Sequence, residues 1–185
     1  MTDDQDSIDW FITHGKELLQ EYRRLKKKID DQVLLHMKMF SEYLHDNAAK
    51  RLNQGKLTAA LTLFTLLLEF TQALGNREDE GGTLNNIGLV YRNLGRLQEA
   101  LDHYREALAI SREVGDRQGE SFALNNLGAV YRVLGQPKEA LKHFEQAFDI
   151  LRDLGDRQSE GGTLNHIGIA YQALGRLQEA LDHYR

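Results

Sequence analysis

Three pairs of polar side chains recur along this 185-residue chain at one spacing: Asn85-Asn86, Asn125-Asn126 and Asn165-His166. A carboxamide carries two N–H donors and a carbonyl acceptor, the counterparts of what an extended peptide backbone offers. A row of them can hold a main chain without demanding a particular sequence. The competing use of the same groups is internal, with one amide of each pair satisfying a neighbouring helix end or loop. Arg92 and Arg132, with Gln172 at the third site, repeat in the same phase. Two guanidiniums there favour a ligand bearing acidic groups, or stand on a solvated face. Leu89, Ala129 and Ile169 fall between the two polar series as apolar pockets. Phe122 occupies a position held by Gly82 and Gly162 in the neighbouring copies, as a stacking anchor or as packing between repeats. His103, His143 and His183 share the period too. Zinc would need its ligands about 2.0–2.1 Å from one ion, whereas packed helices stand about 8–10 Å apart. They read as surface histidines of amphipathic helices, and no metal is expected.

Other chemistry is poorly provided for. The chain has no cysteine, which removes disulfides, thiolate metal sites and thiol nucleophiles. It contains no glycine-rich phosphate loop, no H-E-x-x-H and no G-x-S-x-G. Its five serines (Ser7, Ser41, Ser111, Ser121 and Ser159) lie in no nucleophile context. The expectation is a protein without catalytic activity and without a cofactor. A formal net charge of −5 argues against nucleic acid as the main partner, because phosphate binding needs clustered positive charge. The short basic run Lys26-Lys27-Lys28 is offset by Asp30 and Asp31. The start, Met1 to Asp6, is acidic where a secretory signal is basic and then apolar. The most apolar stretch, Leu61 to Phe70, is interrupted by Thr62, Thr65 and Glu69 and falls short of the roughly 20 residues of a membrane span. No membrane partner is expected, and a cytoplasmic location is the default.

The elements that position these residues follow from an internal repeat. Residues 80–105 and 160–185 are identical at 21 of 26 positions, and residues 120–145 follow the same template in the same phase, a period of 40 residues. A fixed period of that size means stacked supersecondary units. Leu124, Leu127, Val130, Tyr131 and Leu134 form the apolar stripe of a first helix. Gly135 breaks it, as Gly95 and Gly175 do in the neighbours, and Pro137 suits the opening of the next helix. The second helix carries Ala140, Leu141, Phe144, Ala147, Phe148 and Leu151 on one face, then closes at Leu154-Gly155. Asp156 is placed to cap the following helix. Small residues at Gly128 and Ala140 let the two helices approach, and short linkers make them antiparallel.

These residues resemble the tetratricopeptide repeat, whose pattern of a small residue, an aromatic three later, then alanine, aromatic and alanine is met by Gly88, Tyr91, Ala100, Tyr104 and Ala107. Gly128, Tyr131, Ala140, Phe144 and Ala147 meet it again, and Gly168, Tyr171, Ala180 and Tyr184 begin a third copy. The tryptophan-like early position is leucine (Leu84, Leu124, Leu164), and the closing proline is absent. The period and the LNN-G and GDR signatures are similar to the long-helix subgroup of kinesin light chains, spindle-orientation adaptors and bacterial multi-repeat signalling proteins. The resemblance implies an all-α fold, an α-solenoid in which antiparallel helix pairs stack into a right-handed superhelix. It implies a concave groove lined by the first helix of each repeat, where Asn85, Asn86, Leu89, Arg92, Phe122, Asn125, Asn126, Ala129, Arg132, Asn165, His166, Ile169 and Gln172 would meet a peptide or protein segment.

The chain divides into a capping segment (1–40), a degenerate repeat (41–80), two full repeats (81–120 and 121–160) and a copy incomplete at the C-terminus (161–185). The degenerate copy replaces the signature aromatic by Arg51 and the asparagines by His45 and Asp46. In the capping segment a helix over about 7–29, started by Ser7 or Asp6, would be followed by a second from about 31. One long bent helix is the alternative, and the role is covering the end of the array or dimerisation. A polar helix normally closes such an array. The expectation is therefore a fragment, or an end covered by another copy of the chain. The resemblance also admits a regulatory segment of a larger signalling protein with a protease-like or nucleotide-hydrolysing domain.

Overall fold

The computed structural model describes residues 2–25, 31–176, 178 and 180, and among them it contains eight helices and no strand. The basic run at Lys26–Lys28 and the repeat residues His183 and Tyr184 lie outside the described residues. The helices are α1 (Thr2–Leu25), α2 (Asp31–Asn53), α3 (Leu57–Leu74), α4 (Arg77–Asn93), α5 (Leu97–Val114), α6 (Arg117–Val133), α7 (Pro137–Leu154) and α8 (Arg157–Ala173). From α2 onward each helix packs on its neighbours in sequence, and α4, α6 and α8 also touch in series. This is an all-α solenoid of antiparallel pairs α2/α3, α4/α5 and α6/α7, with α8 opening the next pair.

Each turn of the solenoid is made by the same local chemistry. Gly55, Gly75, Gly95, Gly115, Gly135, Gly155 and Gly175 all take φ between 68° and 74°, a left-handed conformation that side chains resist. The side chains of Asn76, Asp116 and Asp156 cap α4, α6 and α8, accepting from the amides of Asp79, Gly119 and Ser159 at 3.2, 2.9 and 3.1 Å. One turn on, Glu80, Glu120 and Glu160 are buried and bonded to Arg77, Arg117 and Arg157. Glu120 also receives Arg112 of the preceding helix at 2.8 Å, so the α5–α6 turn is closed by a paired carboxylate.

The helices of a pair approach through glycine. A Cβ on Gly88 would stand 2.7 Å from the Tyr104 ring, and one on Gly128 would stand 2.6 Å from the Phe144 ring. Both rings are fully buried. Around these contacts three overlapping apolar clusters run from α1 to Ala180.

The N-terminal end departs from the repeat. The first helix starts at Thr2, ahead of the expected signal at Ser7 or Asp6, and Ser7 instead accepts a hydrogen bond from the Arg51 guanidinium at 3.0 Å. Arg51 is buried, so the residue standing in for the signature aromatic ties α2 to α1. α1 packs chiefly on α3, where Gly15 lets its backbone approach Leu66. This explains the composition of α3, whose 18 residues are long and apolar enough to cross a membrane by length and composition (mean hydropathy 1.5). Here its apolar faces are shared among α1, α2 and α4.

Substituting Gly128→Ala should lower stability by about 1–3 kcal/mol, because overpacking against the Phe144 ring outweighs the roughly 1 kcal/mol by which alanine favours an exposed helix. Adding Phe144→Leu should recover part of the loss. Denaturant midpoints of the two variants check both statements.

Candidate peptide-binding groove

The first helices of successive pairs lie side by side, and an open cleft of about 490 Å³ runs across α2, α4 and the start of α6. Its walls include Glu42, His45 and Asp46 of α2, Asn85 and Asn86 of α4, and Phe122 of α6, over a floor containing Leu67, Thr71 and Ser111. The 40-residue phase that aligns Asn85 with Asn125 therefore carries back to His45 and Asp46, which sequence reasoning noted as ladder positions but left out of the site.

The asparagines divide between two uses. Asn126 donates to Asn85 Oδ1 at 3.0 Å and accepts from Arg92 at 3.3 Å. Asn125 donates to Thr163 Oγ1 of the next repeat at 3.0 Å, and the Thr163 hydroxyl also reaches the Ser159 carbonyl. These bonds cross between repeats and set the register of neighbouring first helices. They leave the N–H groups of Asn85, and the whole amide of Asn86, beside the open cleft. Thr163 was not among the expected site residues. Its signal is its recurrence with Thr83 and Ala123 one residue before each leucine.

Phe122 is exposed and lines the cleft, flanked at Gly82 and Gly162 by open space. Leu89, Ala129 and Ile169 are half-buried. Arg132, Asn165 and Gln172 are exposed, and Arg92 and His166 are half-buried. Asn165, His166, Ile169 and Gln172 sit on α8, beyond the cleft, so the structure gathers the expected residues along one surface rather than into one pocket. Charge divides that surface. Glu42, Asp46, Glu78, Asp79 and Asp116 line the cleft. At the other ends of the helices, Arg92 and Arg132 both act on His166, whose proton affinity is lowered by burial and then by those two guanidiniums.

His103 of α5 and His143 of α7 are not solvated surface residues. His103 and His143 are half-buried and stack on Tyr91 and Tyr131 with ring centroids 5.2 and 5.3 Å apart and nearly parallel planes. Their pKa values are lowered mainly by burial. Among the described residues no group of three or more possible metal ligands comes together.

A scan of protein families matches the tetratricopeptide repeat over residues 43–113, 79–153 and 119–185, and the chain belongs to that family. Its fold is that of solved repeat proteins. The crystal structure of BtubC (BKLC) from P. vanneervenii superposes with a TM-score of 0.72 at 21% identity, covering 98% of this chain and 72% of that one. Repeats of a putative kinesin light chain from Podosopora anserina give 0.60 at 17% identity, covering 91% and 90%. The TPR domain of Arabidopsis FLU gives 0.56 at 20% identity, covering 58% and 91%. No curated protein matches the chain.

Two measurements separate the uses of these side chains. Asn125→Ala should cost about 0.5–1.5 kcal/mol of stability for its lost bond to Thr163, while Asn86→Ala should stay within about 0.5 kcal/mol of the parent. Urea unfolding reads both. For the histidines, depressed folded-state pKa values mean that the unfolded chain binds more protons below the ordinary value near 6.5. Stability is then full above that pH and falls as the pH drops through the depressed values. A His103→Phe/His143→Phe variant should lose less melting temperature than the parent between about pH 7.5 and pH 5.5.

Proposed function

We propose that this chain is a non-enzymatic scaffold that captures an extended segment of a partner protein across its first helices. The repeat scaffold fits a protein-interaction role, and the observation that carries the finer reading is the set of amide groups at Asn85 and Asn86 left beside an open cleft. Such groups pair with a peptide main chain in either of two ways, as donors to its carbonyls or acceptors from its amides. Phe122 offers a ring face for one side chain of the segment. Arg92 and Arg132 form the positive side of the surface and favour acidic groups there, with His166 held toward its neutral form beside them. The carboxylates around Glu42 and Asp46 repel those same groups, so the two signs orient the segment across the helices.

A peptide-display selection on the parent chain, run beside an Asn86→Ala/Phe122→Ala variant, tests this. The expected outcome is an enriched motif with acidic positions whose affinity drops about tenfold or more in the variant, since interface groups of this kind are worth about 1–2 kcal/mol each. Equal affinity in both proteins would move the binding surface away from the groove. The distinction from Asn125 matters here, because loss of binding in Asn125→Ala would also follow from a disturbed register.

A further inference from the structure

The end of the solenoid formed by α1 and α2 carries an apolar surface that the groove does not use. Trp10, Leu35, Met39 and Tyr43 are 50%, 56%, 57% and 53% exposed. Leu35, Met39 and Tyr43 stand four residues apart, one ridge along α2. Trp10 borders it from α1, with its ring centroid 6.5 Å from that of Phe40, and Phe11 lies 5.1 Å from Tyr43. In the inner repeats the positions matching Tyr43 are Thr83, Ala123 and Thr163, all buried and small, and at Thr163 the preceding first helix comes close. Thr163 shows it by its bond to Asn125.

A further repeat is a poor fit for this surface. A tyrosine stands where stacking in the repeat's own geometry allows only a small residue. The helix is also longer than its counterparts: α2 begins at Asp31, whereas the positions matching the starts of α4, α6 and α8 fall at Met37. Leu35 and exposed His36 lie on that extension, beyond the reach of a repeat-type neighbour. What fits is a helix crossing at another angle, and a ridge of four-residue spacing packs against its like at about −50°.

Charge says which helix. Around the ridge, exposed Lys38 supplies positive charge on the N-terminal half, and exposed Glu42 and Asp46 supply negative charge on the C-terminal half. A second α2 running antiparallel sets the basic half of each against the acidic half of the other, and a parallel one sets like against like. Lys38 and Glu42 share one flank of the ridge, and a two-fold axis across antiparallel helices keeps flank facing flank. We infer that two copies of this chain associate through the exposed ridge of α2, antiparallel, with Lys38 of each facing Glu42 of the other and Trp10 at the margin. This goes beyond the groove reading and does not rest on it, since the apolar ridge of Leu35, Met39 and Tyr43 lies outside the cleft, while Glu42 and Asp46 border both surfaces.

Light scattering and sedimentation of the whole chain from micromolar to submillimolar concentration test it. The mass should rise from 21.2 kDa toward twice that value, and the emission of Trp10, the only tryptophan, should move to shorter wavelength in step. Met39→Glu should abolish both changes while far-ultraviolet circular dichroism stays that of the parent. Lys38→Glu alone should weaken association about tenfold, and Lys38→Glu/Glu42→Lys should restore it to within about threefold. A mass fixed at the monomer value overturns the proposal. So does association that survives Met39→Glu, or a charge-swapped variant that stays as weak as Lys38→Glu.

Discussion

The contact on which the rest of this structure depends is a glycine against an aromatic ring. Gly88 on Tyr104 and Gly128 on Phe144 bring the two helices of a repeat closer than any side chain would allow. Close pairing leaves the opposite side of each first helix free, and it stacks those helices side by side. The left-handed glycines at the turns fix where each helix stops, and the aspartate or asparagine caps fix where the next begins. The groove is a consequence of this packing rather than an element added to it.

On the proposed reading the same surface carries two duties. Asn125 and Asn126 hold adjacent first helices in register through Thr163, Asn85 and Arg92, while Asn85 and Asn86 keep donors beside the cleft. A segment bound across the helices would therefore contact groups whose neighbours set the repeat spacing. On the proposed reading, ligand binding and the spacing of the repeats would be coupled through these amides, because a shift of one first helix would change both. Arg92 belongs to both duties, bonded to Asn126 and acting on His166.

Much of this was legible from residue types. The period, the helix pairs, the glycine stops, the Asp156 cap and the small-on-aromatic contact at Gly128 each follow from local chemistry that one repeat contains. Features that cross between repeats were harder to read. The bond from Asn125 to Thr163 depends on how far one unit rotates over the next, which no single repeat encodes. The stacking of His103 on Tyr91 was missed because a histidine beside acidic neighbours looks like a solvated one, whereas its ring lies flat between two helices. Arg51 was recognised as a lost aromatic, but its bond to Ser7 requires knowing that α1 packs on this side of the array.

The most direct test of the groove is a nuclear magnetic resonance titration that follows side-chain amide and ring resonances while a selected peptide is added. The account predicts shifts concentrated at the Asn85 and Asn86 carboxamides and the Phe122 ring, with intermolecular contacts from those groups to the peptide main chain. Contacts confined to the second helices α5 and α7, with the Asn86 amide and Phe122 ring unmoved, would contradict it.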